Sequence, residues 1–222
     1  MQYSDFISFL KENGISVFTV KEASKILEKS ALYTAKFLNS RDGIMRIEKG
    51  KYAVMGVSDD IIASHIVYPS YISLISALRY YNLTTQLPME KYVITTARHK
   101  PLLFHKYMIN FIKVNKKLMF GFKEVNDALV ATPEKAFIDA LYLKKAIWYN
   151  EEFDAGVERG VIKMDVLKNY AIQLGNRELA KRLAVFLETR YSIDCSDLNR
   201  LYASPKSLQP KMYGKNREKI HA

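Results

Sequence analysis

A helix start specified by four consecutive residues, Thr19-Val20-Lys21-Glu22, constrains this sequence more than any other feature. In such a capping box the threonine hydroxyl accepts from the glutamate N–H, and the glutamate carboxylate accepts from the threonine N–H. The short apolar stretch Val17-Phe18 precedes it, while Ala23, Ile26 and Leu27 follow on one helical face. The pattern predicts a short strand that runs directly into an amphipathic helix.

A second helix start follows after a short break. Lys29 and Ser30 end the capping-box helix, and the Ser30 hydroxyl can cap the next helix. Ala31, Ala35 and Leu38 stand at i, i+4 and i+7, so we expect them to face the core. The two helices are therefore predicted to be joined by a tight turn.

A β-hairpin is predicted after these helices. Ile44–Ile47 and Tyr52–Val54 are strand-like and flank the glycine-bearing turn Glu48–Lys51. Another apolar helical pattern, ending at Asn13-Gly14, comes before all of these elements. The order is thus helix, short strand, helix, tight turn, helix and hairpin.

This order predicts a winged helix-turn-helix domain over residues 1–57, with Ser30–Ser40 as recognition helix and Glu48–Lys51 as wing tip. The start of the recognition helix suits a phosphate, and its outward face suits base edges in the major groove. The basic wing suits phosphate or minor-groove contacts, although a merely solvated face remains the alternative. The predicted DNA-binding residues are Lys29, Ser30, Tyr33, Lys36, Arg46, Lys49 and Lys51.

The remaining chain is predicted to form a mixed α/β domain over residues 58–143 and a mostly helical segment over 144–222. Pro69-Ser70 precedes a helical pattern that includes Ile72, Ile75 and Leu78. Strands are predicted where β-branched and aromatic residues concentrate. These strands are Lys91–Thr96, Tyr107–Val114 and Leu118–Phe122.

Helix signals close this part of the chain. Thr132-Pro133-Glu134 combines a capping hydroxyl, a proline at the first helical position and an acid at the positive end of the helix dipole. Two amphipathic helices, roughly Asp165–Leu174 and Asn176–Tyr191, are separated at Gly175. The predicted fold class is therefore α+β: a winged helix, a mixed α/β domain and a C-terminal helical segment.

The charge balance is strongly basic, with a formal net charge of +11 and a pI near 9.5. Lys and Arg side chains gain affinity for nucleic acid by displacing condensed counterions, so the charge is compatible with a polyanionic partner. A basic protein that does not bind nucleic acid is the alternative, and the charge alone does not decide between the two. The basic tail Lys206–Lys219 is a candidate surface for DNA or for an acidic protein partner. A solubilising chain end is the alternative function of that tail.

The sequence says less about the cellular compartment and the oligomeric state than about the fold. Cys195 is the only cysteine, which excludes an intramolecular disulfide and agrees with a reducing compartment. The first residues lack a signal-peptide pattern, and no apolar run approaches the roughly 20 residues of a membrane span. We expect a cytoplasmic protein without a membrane partner, whose oligomeric state stays open, a dimer being one option.

Enzymatic signals are weak. Glu134, Lys135 and Asp139 lie on one helix, where the first is expected to be a first-turn acid and the other two an i,i+4 ion pair. His99 and His105 match no zinc motif, and no nucleophile or dinucleotide motif occurs. We therefore expect no catalytic residue, metal or cofactor, with a nuclease or nucleotidyltransferase as the rival hypothesis.

Several short motifs occur in a fixed order over roughly residues 15–143. They are Phe18-Thr19-Val20, Arg46-Ile47, Pro69–Ser73, Tyr81–Thr84, Val93–Thr96 and Ala131–Ala136. In this order they resemble the AbiEi-type antitoxins, a group of predicted transcriptional regulators of viral defence systems. The resemblance implies a DNA-binding autorepressor of a toxin–antitoxin system.

The same resemblance implies a second partner besides double-stranded DNA, namely a nucleotidyltransferase-like toxin encoded nearby. A stand-alone transcription regulator without a toxin partner is the alternative within the same class. The binding-protein and enzyme hypotheses differ in what they require, because a nuclease needs clustered carboxylates for metal ions. The sequence offers only scattered carboxylates in its second part.

Overall fold

The computed structural model describes residues 2–85, 89–144 and 149–202, and it is an α+β protein with helices towards both ends. The chain divides into two compact units, Met1–Tyr170 and Ala171–Ala222. The predicted boundaries at residues 57 and 143 stay predictions. The basic tail Lys206–Lys219 lies outside the described residues.

The first unit begins with a small helical layer on a three-stranded antiparallel sheet of order β1-β3-β2. A core of buried aromatic and aliphatic side chains, among them Phe6, Phe18 and Tyr52, lies between the helices and the sheet. Its elements are α1 (Tyr3–Glu12), β1 (Val17–Thr19), α2 (Val20–Leu27), α3 (Ala31–Asn39), β2 (Ile44–Glu48) and β3 (Lys51–Val54).

Both predicted helix caps are confirmed. The Thr19 hydroxyl accepts from the Glu22 N–H at 3.2 Å, and the Glu22 carboxylate accepts from the Thr19 N–H at 2.7 Å. The Ser30 hydroxyl accepts from the Tyr33 N–H at 3.3 Å. These contacts form because they satisfy N–H groups that a helix leaves without a partner in its first turn.

The core-facing side of α3 differs from the prediction. Thr34 and Leu38 are buried, whereas Ala31 is exposed and Ala35 only half-buried. The helix is rotated so that Phe37 packs edge-on against rings of α1. Burying part of a phenyl ring removes more apolar area from water than burying an alanine methyl, which favours this rotation.

A six-stranded mixed sheet follows in the same unit, with strand order β6-β7-β5-β4-β9-β8. β5 pairs with β7, and β4 with β9, in parallel; the other neighbours are antiparallel. Its elements are α4 (Asp59–His65), β4 (Ser70–Ile72), α5 (Leu74–Leu78), β5 (Glu90–Thr95), β6 (Leu102–Phe104), β7 (Tyr107–Lys113), β8 (Phe122–Val125), β9 (Ala128–Ala131) and α6 (Pro133–Tyr142).

Two sequence predictions in this region are wrong. Ser70–Ile72 is a buried central strand, not the start of a helix, because short apolar runs fit either structure until their neighbours are known. The predicted strand Leu118–Phe122 begins only at its last residue. Gly121 interrupts it with a φ of +70°, which strand geometry does not allow. The strands at β5 and β7 are confirmed.

Helices cover both faces of this sheet. The Ser70 hydroxyl donates to the Ser64 carbonyl of α4 at 2.8 Å, while the neighbouring Tyr71 hydroxyl donates to Asp139 of α6 at 3.0 Å. Successive side chains of a strand point to opposite faces, so α4 and α6 lie on opposite sides. The predicted cap of α6 is present, since the Thr132 hydroxyl accepts from the Lys135 N–H at 3.3 Å.

The contact between β4 and α6 contains a buried ion pair. Lys135 and Asp139 form the predicted i,i+4 pair, but both side chains are fully buried, so it is not the weak surface pair expected. Asp139 also accepts from the Ser73 hydroxyl at 2.7 Å, and the Lys135 ammonium donates to the Tyr71 hydroxyl at 2.7 Å. Burial raises the pKa of Asp139 and lowers that of Lys135, and each charge opposes the shift of the other.

The rest of the described chain is helical. α7 (Asn150–Glu158) precedes α8 (Met164–Leu174), α9 (Arg177–Tyr191) and α10 (Ser196–Tyr202). The predicted helices around α8 and α9 are confirmed, and the Asn176 side chain caps α9 by accepting from the Leu179 N–H at 2.9 Å. No helix among residues 2–85, 89–144 and 149–202 is long and apolar enough to span a membrane.

Replacing Asp139 by asparagine should lower the free energy of unfolding by about 3–5 kcal/mol, because it leaves the Lys135 ammonium buried without a counter-charge. The double variant Lys135→Met/Asp139→Leu should recover most of that loss, because it removes both charges at similar volume. Urea unfolding of the full chain measures both changes.

The surface pair Glu178–Arg182 supplies the control for this comparison. Glu178→Gln should cost less than about 0.5 kcal/mol, because exposed ion pairs contribute little. If Asp139→Asn lowers the free energy of unfolding as little as Glu178→Gln does, the buried pair is not needed for the stability of the fold.

Candidate nucleic-acid interface

A three-residue turn between α2 and α3 presents the first candidate residues. Glu28 takes a left-handed conformation with a φ of 54°, and the Lys29 N–H closes the turn on the Ser24 carbonyl at 3.1 Å. Lys29 and Ser30 are exposed where α3 begins. The turn therefore brings a cation to the positive end of the α3 dipole, an arrangement that suits an anion.

The outer face of α3 combines apolar, aromatic and basic groups. The Leu32 side chain is 71% exposed, Tyr33 is 52% exposed, and Lys36 is also exposed. The Tyr33 ring stacks on Phe37 with a centroid distance of 6.2 Å, and Phe37 packs edge-on against Phe6. Tyr33 is thus held in a defined orientation by the core while its outer edge stays accessible.

The β2–β3 hairpin carries the other three candidates, and they differ in accessibility. Arg46 and Lys49 are exposed. Lys51 is half-buried: its ammonium donates to the Ile66 carbonyl at 2.7 Å and lies 2.9 Å from the Glu48 carboxylate. Lys51 therefore fastens the hairpin to the chain after α4 and is a poorer candidate for phosphate contact than Lys49.

Glu48 also connects the hairpin to the loop that follows β5. Its carboxylate lies 3.1 Å from the His99 Nε2 atom. Although burial raises the pKa of Glu48, the hydrogen bonds from Lys51 and His99 outweigh this and hold the pKa below its usual value. The hairpin is thus attached to the larger sheet through one carboxylate that serves two donors.

The seven predicted DNA-binding residues therefore form two groups. Four lie on the α2–α3 turn and α3, three lie on the hairpin, and α3 packs against β2. Two exposed neighbours of these residues, Leu32 and Arg41, were not predicted from the sequence. The Arg41 guanidinium lies 5.4 Å from the Phe37 ring centroid. The exposure of Leu32 follows from the rotation of α3, which no helical periodicity in the sequence indicated.

The residues considered for catalysis or metal binding have partners within the fold. The Glu134 carboxylate accepts from the Lys163 N–H at 3.0 Å, and Lys135 pairs with Asp139 inside the core. His105 Nδ1 lies 2.8 Å from the Asp59 carboxylate. Within the described ranges, no group of three or more His, Cys, Asp or Glu side chains could hold a metal ion.

Comparisons with known proteins add no assignment: no family model matches this chain, and no curated protein matches it. The resemblance to AbiEi-type antitoxins therefore remains a prediction from the sequence.

Glu48→Gln should reduce the loss of stability on acidification. A carboxyl whose pKa is lowered in the folded state stabilises the fold above its unfolded pKa of about 4.3, and this contribution disappears as the pH falls through the folded pKa. The wild-type chain should thus lose more stability than Glu48→Gln between about pH 6 and pH 3, as measured by urea midpoints.

Glu12→Gln, at an exposed position outside this cluster, controls for the removal of one carboxylate. If both variants change the pH profile equally, the Glu48 contacts do not stabilise the fold.

Proposed function

We propose that this chain is a sequence-specific DNA-binding transcription regulator whose residues 1–57 act as a winged helix-turn-helix. The observation that carries the proposal is the order α1-β1-α2-α3-β2-β3, with the sheet order β1-β3-β2 and an exposed, partly basic outer face on α3. A helix of this kind fits the major groove of B-form DNA. The hairpin would act as the wing.

Base recognition is assigned to the outer face of α3. Lys36 can donate to the O6 and N7 atoms of guanine, and the Tyr33 hydroxyl can donate to or accept from a base edge. Leu32 offers an apolar surface of the kind that contacts a thymine methyl group. Because Tyr33 is stacked on Phe37, its ring would lose little conformational entropy on binding.

Phosphate contacts are assigned to Lys29 and Ser30 at the start of α3 and to Arg46 and Lys49 on the hairpin. These contacts position the protein without selecting a sequence. Lys51 is assigned mainly to holding the hairpin, given its contacts with Ile66 and Glu48. The net charge of +11 supports such a salt-dependent component of binding.

Variants of the full chain test this division. Tyr33→Ala and Lys36→Ala should each lower the discrimination between a site selected from a random duplex library and unselected DNA, by ~1–3 kcal/mol. Lys49→Ala should weaken binding to both DNAs similarly and reduce the slope of log affinity against log salt by about one. Fluorescence anisotropy at several salt concentrations measures both quantities.

Lys11→Ala is the matched control. Lys11 is an exposed lysine in the last turn of α1, and it belongs to neither α3 nor the hairpin. It should leave the discrimination between selected and unselected DNA unchanged. It should also reduce the slope of log affinity against log salt less than Lys49→Ala does. Equal losses on all sequences for Tyr33→Ala and Lys36→Ala would remove α3 from base recognition.

We further propose autorepression and an antitoxin role, which rest on the family resemblance alone. The expected second partner is a nucleotidyltransferase-like toxin encoded beside this gene, and the expected compartment is the cytoplasm. A regulator without a toxin is the alternative, and no enzymatic activity is proposed.

Co-expression of this chain with the neighbouring toxin-like protein should relieve the growth inhibition that the neighbouring protein causes.

The variant Tyr33→Ala/Lys36→Ala separates the two roles in this experiment. It should still relieve growth inhibition, because the antitoxin contact is not expected on α3. If the wild-type chain represses a promoter but relieves no inhibition, the antitoxin proposal is wrong and the regulator proposal stands.

A further inference from the structure

A small polar cavity of about 140 Å³ lies in the first unit, apart from α3 and the hairpin. Its walls come from the first turn of α4, from α5 and the residues after it, and from β5. The lining residues are Asp60, Ser76, Arg79, Tyr80 and Lys91. All five carry polar groups, which is unusual for a space between packed elements that are otherwise apolar.

The charges of these groups favour an anion. Arg79 and Lys91 supply two positive charges and Asp60 one negative charge, so the lining carries one net positive charge. The Lys91 side chain is only 5% exposed and pairs with Asp60. Its ammonium also lies 4.1 Å from the centroid of the Tyr107 ring. A cation in this cavity would meet two positive charges and a single carboxylate, and that carboxylate already has the Lys91 ammonium and the Tyr80 hydroxyl as partners.

Two of the lining residues, Ser76 and Arg79, carry hydrogen-bond donors that could serve a ligand. The Ser76 hydroxyl accepts from the Tyr92 N–H at 3.0 Å, which leaves its own proton free to donate. Arg79 is half-buried, and within the described ranges its guanidinium shows no hydrogen bond or ion pair. A guanidinium presents five N–H donors in a planar fork that matches an oxyanion. Two donor groups in the lining are therefore available to a ligand.

The size limits the ligand further. One water molecule occupies about 30 Å³ of liquid, so the cavity holds roughly four to five heavy atoms. Pockets for drug-sized ligands start at about 300 Å³, so this cavity is too small for them. A phosphate group, with its five heavy atoms and its acceptors on all sides, fits both the volume and the donors.

We propose that this cavity is a binding site for a phosphate group, either as inorganic phosphate or as the end of a small phosphomonoester. Arg79 and Ser76 hold the oxyanion, and Lys91 neutralises it. Asp60 limits its affinity by competing for the Lys91 ammonium. The site does not overlap the proposed DNA interface, because none of its lining residues belongs to α3 or the hairpin.

Isothermal titration calorimetry of the full chain, freed of nucleic acid, tests this proposal with inorganic phosphate at constant ionic strength. The wild-type chain should show saturable binding of one phosphate. Arg79→Gln should weaken it about tenfold, the effect of losing one charge-assisted contact. Asp60→Asn should strengthen it, because the variant removes the competing carboxylate. Circular dichroism checks that each variant is folded.

Arg98→Gln is the matched control, since Arg98 is an exposed arginine outside the cavity. Its phosphate affinity should equal that of the wild type. Titration with glycerol 3-phosphate distinguishes the sources: equal affinity identifies a phosphomonoester end, and loss of binding identifies free phosphate. No saturable binding, or equal weakening by Arg79→Gln and Arg98→Gln, would overturn the proposal, since phosphate would then only screen the basic surface.

Discussion

The buried Lys135–Asp139 pair is the interaction on which the larger sheet depends. Tyr71 lies on the central strand β4, Ser73 precedes α5, and both donate to the same carboxylate of α6. One ionised group thus determines where a strand and two helices meet. Buried charges contribute little net stability compared with apolar groups, but they penalise every arrangement in which a partner is missing. The network therefore specifies one packing of β4 against α6.

The junction between the hairpin and the larger sheet follows a similar principle at a half-buried site. Glu48 accepts from Lys51 and lies beside His99, while Lys51 also donates to the Ile66 carbonyl. Two polar contacts, Glu48 with His99 and Lys51 with the Ile66 carbonyl, attach the hairpin to the rest of the chain, and the Lys51–Glu48 pair connects its two strands. For the proposed DNA binding, an attached hairpin would be an advantage, because ordering it on contact would reduce affinity.

Local signals predicted the capped helix starts well, since a cap is decided by residues three positions apart. The capping box of Thr19 and Glu22 is the clearest example. Predictions from local patterns were wrong where the structure depends on residues that are distant in the sequence. The α3 face depends on where the Phe37 ring packs against α1, and Ser70–Ile72 became a strand because β5 and β9 lie on either side. Likewise, the Lys51 ammonium donates to the Ile66 carbonyl, and no local sequence pattern predicts a contact between residues 15 positions apart.

The phosphate cavity could not be predicted either, because its residues come together only when α4, α5 and β5 pack. One helix, α4, contributes to this cavity and follows the hairpin in the chain. Its first turn begins shortly after β3 ends, and Asp59 and Asp60 contact His105 and Lys91. An anion that draws Lys91 away from Asp60 would change what holds the first turn of α4. Because α4 also packs against β1, one helix contacts both the cavity and the segment that carries the proposed DNA interface.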